Sequence, residues 1–126
     1  MNGVMIDYEI AVLFLSGSEK IGKILLNYDE LYISVFDYSF LLAGAESSKN
    51  VSHNLYLIKE FINENVEIID FTKKEANAFA RIKTKYELDN MVLLNASLAL
   101  SRKLKILTAD ESYTKIKELK SEIIKA

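Results

Sequence analysis

Val92-Leu-Leu-Asn-Ala-Ser-Leu-Ala-Leu100 is followed, after three polar residues, by Leu104-Lys-Ile-Leu-Thr-Ala-Asp110. The first run is apolar on nearly every face, which predicts a central helix from Met91 to about Arg102, opened by Asp89 or Asn90. The second reads as a short buried strand, Leu104 to Leu107, with an acid just beyond it. A buried helix feeding a buried strand is half of a parallel α/β layer.

Upstream, Thr72-Lys-Lys-Glu75 has capping-box spacing. The helix behind it reaches about Tyr86 and carries Ala76, Phe79, Ala80 and Lys83 on one line. Val66 to Ile69 is a strand ending at Asp70, and Val51 to about Asn63 a helix. Leu31 to Phe36, rich in β-branched and aromatic residues, predicts another strand, after which Asp37 starts a helix that Gly44 is placed to stop. Near the N-terminus, Val4 to Ile6 is a strand ending at Asp7, and Tyr8 to Leu15 a buried helix. Ser16-Gly17-Ser18 breaks that helix, and Ser18 caps the next one, to about Asn27. Downstream, Glu111 to Leu119 reads as a helix and Glu122 to Ile124 as a short strand. Strands separated by helices imply a mainly parallel sheet in one α/β domain spanning residues 1–126.

Composition narrows the chemistry. Half the residues are hydrophobic and no segment is low in complexity, so a packed core is expected. There is no cysteine, hence no disulfide and no thiolate metal site, and one histidine, His53, on a mixed helix where exposure is expected. No apolar run approaches the roughly 20 residues that span a bilayer, and no secretory leader pattern opens the chain, so a cytoplasmic protein is expected. The net charge of −2 gives no basic excess for nucleic acid, and the lysine clusters at Lys73–Lys74, Lys83–Lys85 and Arg102–Lys105 read as solvated helix surface. Tyr8, Tyr32, Tyr38, Tyr56, Tyr86 and Tyr113 are scattered, with no base-stacking spacing.

Ligand chemistry in parallel sheets gathers beyond the carboxyl ends of the strands. Asp7, Asp37, Asp70 and Asp110 each follow one of the first four strands. Such carboxylates suit Mg²⁺ or Mn²⁺, which take oxygen ligands, but aspartate is equally a favoured helix N-cap, and both readings stand. Asn95, on the apolar late helix, is either a polar contact in that cleft or a hydrogen-bonded core asparagine.

Met5-Ile-Asp-Tyr-Glu9, Ile33-Ser-Val-Phe-Asp-Tyr-Ser-Phe-Leu-Leu-Ala-Gly44 and the Val92–Asp110 segment together resemble PIN domains, metal-dependent nucleases best known as the VapC toxins of toxin–antitoxin pairs. The resemblance covers essentially the whole chain and implies a three-layer α/β/α sandwich around a mainly parallel sheet of four to five strands. Carried over position by position, the family's first and fourth acids fall on Asp7 and Asp110, but its second and third fall on Phe40 and Val92. Glu9 stands where an asparagine is frequent. The family's carboxylates hold one or two metal ions that activate water and polarise the phosphodiester, so two apolar replacements imply a degenerate site. Asp37 and Asp89, each three residues before a missing acid on the same helical line, are possible substitutes, and Glu9 and Glu111 possible supplements.

The resemblance leaves two functions. One is a non-catalytic module that acts by binding, as a homodimer, with an antitoxin, or in a larger assembly, and needs no cofactor. The alternative is a Mg- or Mn-dependent endoribonuclease, the toxin of such a pair, with metal at Asp7 and Asp110 and a reduced or displaced acid set. The missing acids and the lack of basic excess favour the first, and RNA as a partner has weak support. Apolar surface on Tyr8–Leu15 and Val51–Phe61 predicts a symmetric dimer.

Overall fold

The computed structural model describes residues 2–125. The elements in order are β1 (Gly3–Ile6), α1 (Tyr8–Leu15), α2 (Glu19–Leu25), β2 (Glu30–Ser34), α3 (Val35–Glu46), α4 (Val51–Asn65), β3 (Val66–Ile69), α5 (Lys73–Lys83), α6 (Asn90–Arg102), β4 (Lys105–Thr108), a 3₁₀ turn (Glu111–Lys115) and β5 (Ser121–Ile123). The strands form one parallel sheet in the order β3-β2-β1-β4-β5, with Ile6 opposite Ile33 on one side and Leu107 on the other.

Alternation along the central strand divides the core in two. Val4 and Ile6 point to a layer built from α1 to α4, including Ile10, Ile21, Leu41 and Ile58. Met5 points the other way, into a layer of α5, α6 and the 3₁₀ segment, including Ile82, Leu93, Leu98 and Ile116. The three-layer α/β/α sandwich follows directly from that period of two. Within the second layer, α6 is buried at seven positions, from Val92 to Ala99, which matches its all-round apolar sequence.

Several local expectations need correction. The second strand stops at Ser34, because the Ser34 hydroxyl accepts the Asp37 N–H at 3.0 Å and starts the helix earlier. Val35 and Phe36 are therefore helical, Asp37 lies in the first turn instead of opening it, and Gly44 is interior, with Ser47 at the C-cap. The expected Glu111–Leu119 helix is only a five-residue 3₁₀ turn. Tyr113 within the turn and Ile116 and Leu119 beyond it are buried at three-residue spacing, and the Ile116 and Leu119 N–H groups donate to the carbonyls three residues earlier, at 3.2 Å each, so the segment continues as turns and not as an α-helix. The α5 capping box is present, but the buried face is Glu75, Ala78 and Ile82; Ala76, Ala80 and Lys83 face solvent. Only Ile10 and Ala11 of α1 are buried, since its outer side meets no further layer. Ser18 caps α2 as read, and Gly17 turns the chain with φ +93°, a conformation that favours glycine.

Ser34 is fully buried, so its cap is protected from water. Ser34→Ala should lower unfolding free energy by about 1 kcal/mol, read as a shift in urea midpoint with an unchanged slope. A midpoint within error of wild type would show that the cap is not what starts α3.

Candidate functional site

The sheet order brings the ends of β2, β1 and β4 side by side, and with them Asp37, Asp7 and Thr108. Asp7 directly follows β1 and is the N-cap of α1, its Oδ1 accepting the Ile10 N–H at 3.1 Å. Its Oδ2 accepts the hydroxyl of Thr108, the last residue of β4. The same Thr108 oxygen accepts the Asp110 N–H at 3.0 Å. Asp37 is buried too, and its Oδ2 accepts both the Tyr8 N–H and the Asn95 side-chain amide, each at 3.0 Å. The Asn95 amide also reaches the Tyr113 hydroxyl at 3.2 Å. Asn95 Oδ1 is buried without a hydrogen-bond partner, an unsatisfied acceptor that few native cores tolerate.

Burial is the main cause that raises both carboxyl pKa values. For Asp7, the Thr108 and Ile10 hydrogen bonds oppose it, while the charges of Glu9 and Asp110 reinforce it. Asp37 is pushed up to about 6, first by burial and then by the negative charge of Asp7, against the pull of the Tyr8 N–H and the Asn95 amide. The Tyr113 phenol is raised by burial, with Asp7, Asp37 and Asp110 adding to the effect.

The sequence candidates thus separate. Asp7 and Asp37 share one buried network, and Asp37 does not cap its own helix, since Ser34 does. Asp110 lies exposed beside it, its carboxylate accepting the Ser112 N–H at 2.9 Å. Glu9 and Glu111 line an open cavity of about 1000 Å³ next to Asp110. Asp89 stays outside the network, exposed at the start of α6 with no side-chain cap bond, and Asp70 is exposed before the Thr72 cap. Val92 packs in the core at 5% exposure, whereas Phe40 is 50% exposed, edge-on to Tyr8 at 6.3 Å between ring centroids. Phe40, Met91 and Asp37 line one shallow cavity of about 510 Å³. His53 is exposed, as read. Among the described residues, no group of three or more histidines or acids is disposed to hold a metal ion.

Two members of the network were not singled out from sequence. Tyr113 was read as a scattered aromatic; its three-residue spacing with Ile116 and Leu119 was the available signal. Thr108 left only its place at the end of an apolar strand.

The profile of the PIN domain family matches residues 4–119. The chain belongs to the PIN domain family. Among solved structures, a chain of DNA-bound VapBC from Salmonella typhimurium superposes with a TM-score of 0.87 at 23% identity, covering 98% of each chain. A chain of VapBC2 from Rickettsia felis, bound to a DNA fragment from their promoter, gives 0.86 at 22% identity, covering 98% of this chain and 99% of that one. VapBC-5 from Mycobacterium tuberculosis, of the VapBC family of toxin–antitoxin systems, gives 0.70 at 17% identity over 100% of both. At these identities the likeness is one of fold. No curated protein matches the chain by sequence.

The raised Asp37 pKa makes a signed prediction. An unfolded aspartate titrates near about 3.9, so between there and about 6 the folded state holds a proton that the unfolded state has lost. This contribution to stability is therefore present at low pH and is lost as pH rises through about 6. Asp37→Asn should abolish that loss and be more stable than wild type at pH 7 by on the order of 1–3 kcal/mol, a gap that closes toward pH 4. Parallel stability curves for the two proteins across this range would refute the assignment.

Proposed function

We propose that the chain is a PIN domain of VapC type with a degraded metal site, acting by protein association and not by cleaving RNA. The observation that carries this reading is the way the buried carboxylates are engaged. Asp7 is taken up by the Ile10 N–H and Thr108, and Asp37 by the Tyr8 N–H and Asn95, while Val92 is core and Phe40 lines the neighbouring opening. The donor set does not fit the family's four-acid cluster. A divalent ion offered two carboxylates beside the apolar Val92 and Phe40 gains less charge compensation than from four acids, and both carboxylates already accept hydrogen bonds from protein donors. The fold likeness to VapBC structures supports an antitoxin as the protein partner.

Association also has a surface. Tyr8, Val12 and Leu15 of α1, Leu41 of α3, and Leu57 and Ile58 of α4 line an apolar groove of about 300 Å³. Tyr56, also on α4, is 59% exposed. Apolar side chains left open on two neighbouring helices suit a symmetric homodimer.

A second reading, a metal-dependent endoribonuclease with a displaced acid set, is favoured by one observation. Asp37 stands close enough to Asp7 for the two charges to oppose one another, and a divalent ion held between these two carboxylates would relieve that opposition.

Calorimetry and RNA cleavage separate the two. The proposal expects no heat of Mn²⁺ or Mg²⁺ binding at millimolar metal and no cleavage of single-stranded or structured RNA. Phe40→Glu with Val92→Asp should create measurable Mn²⁺ affinity, at a cost in stability from placing an acid in the core. Metal-dependent cleavage by wild type that Asp7→Asn abolishes would overturn the proposal in favour of the second reading.

Sedimentation tests association. The chain should run as a dimer at micromolar concentration and Leu57→Glu as a monomer. A wild type that is only monomeric would exclude the homodimer.

A further inference from the structure

Away from the carboxylates, at the N-terminal end of β4, two adjoining cavities of about 410 and 260 Å³ share Leu100, Lys103 and Glu118. The separation from the buried acids is large. Lys105 and Thr108 are the two ends of β4, on the order of 10 Å apart at roughly 3.3 Å per residue. Asn95 and Lys103 are on the order of 12 Å apart along α6 at about 1.5 Å per residue.

Charge is strongly segregated here. The chain carries 16 lysines and arginines against 18 acids. Yet the two cavities together are lined by six cations, Lys74, Arg81, Lys85, Lys103, Lys105 and Lys120, and by one acid, Glu118. Lys85 pairs with Glu118 at 3.1 Å and Lys105 with Glu122 at 2.9 Å. Among the described residues, no ion pair engages Lys74, Arg81, Lys103 or Lys120, and all four are exposed. Lys103 adds a positive φ of 57° at the end of α6, where glycine is usual, so a cation occupies a position that commonly carries no side chain. Beneath the cations the floor is apolar: Ala78 and Ile82 of α5 are buried, and Leu100 of α6 is half-buried.

We infer that this groove docks an acidic protein segment, seating an apolar side chain on Ala78, Ile82 and Leu100 while its flanking carboxylates meet Arg81, Lys103 and the neighbouring lysines. A nucleic acid suits the cations but not the floor. Phosphates gain nothing from buried aliphatic surface, and base stacking needs an aromatic platform. Among the described residues, no aromatic side chain lines either cavity. An acidic segment with an apolar anchor satisfies both, gaining attraction from the rim and burial from the floor. The groove lies on different elements from the α1–α4 surface, so this inference stands or falls independently of the dimer and of the metal question.

The test uses the full chain and fluorescence anisotropy. The probes are a short labelled peptide of glutamates flanking a central leucine, the same peptide with glutamine for glutamate, the same with alanine for leucine, and a labelled uridine oligonucleotide of equal charge. The glutamate–leucine peptide should bind at least about tenfold more tightly than either altered peptide. Arg81→Glu with Lys103→Glu should remove that preference. Should charge reversal lower the melting temperature, Arg81→Gln with Lys103→Gln gives the same reading with less perturbation. Absence of peptide binding, equal binding of the three peptides, or binding that survives both variants would overturn the inference. So would an oligonucleotide that displaces the peptide and is itself lost in the double variant.

Discussion

The carboxyl end of the sheet depends on how one short helix has its first backbone donors satisfied. The opening N–H groups of α1 have no intrahelical acceptor, and two buried aspartates supply them: Asp7 takes Ile10 and Asp37 takes Tyr8. The positive end of the helix offsets part of the cost of holding two carboxylates out of water. Asp7 also accepts the Thr108 hydroxyl, which carries the β1–β4 pairing one step past its last backbone rung, Ile6 to Leu107. Asp37 in turn holds Asn95, fixing α6 against α3. Three strand ends and two helical layers therefore meet through side chains that include two mutually repelling buried carboxylates.

Much of the fold was legible because its determinants are repetitive. The short apolar run of β1, all-round apolarity in α6 and the Ser18 and Thr72 caps are local signals that tertiary contacts reinforce. The failures are equally physical. Val35 and Phe36 have strand propensity, yet a single serine hydroxyl one residue earlier decides in favour of helix. The C-terminal segment has α-helical composition, but burying Tyr113, Ile116 and Leu119 three residues apart suits successive tight turns, and a short isolated α-helix has little cooperativity with which to resist.

The site was less legible, because its logic is distributed. Asp7 and Asp110 could be placed by their position after strands. That Asp37 turns inward to Tyr8 could not, since its place at a helix start suits an N-cap as well as a ligand. Asp37 and Asp89 had symmetrical claims by spacing; the structure brings in the first and leaves the second in solvent, because α3 packs beside α1 whereas Asp89 faces outward at the start of α6. Asn95 is both things its sequence allowed, a core asparagine and a contact of the acidic pair. Its unmatched Oδ1 has no counterpart in any motif, because an unfilled acceptor becomes visible only when its surroundings are closed.

The sheet order also sets a timetable. β1, the earliest of the five strands in chain order, is the central one, but one of its two edges waits for β4, and Asp7 meets Thr108 across 101 residues of chain. At roughly 5–20 residues per second, a ribosome needs on the order of 5–20 s to deliver that partner. Until then the layer of α1 to α4 can gather on β1, β2 and β3, while the opposite side of β1, with Met5, stays open to solvent. The domain at that stage is half a sandwich whose β1 edge is unpaired, and closing it depends on contacts of the long-range kind that slow folding. The segment that completes the acidic network is the same one that ends this exposure.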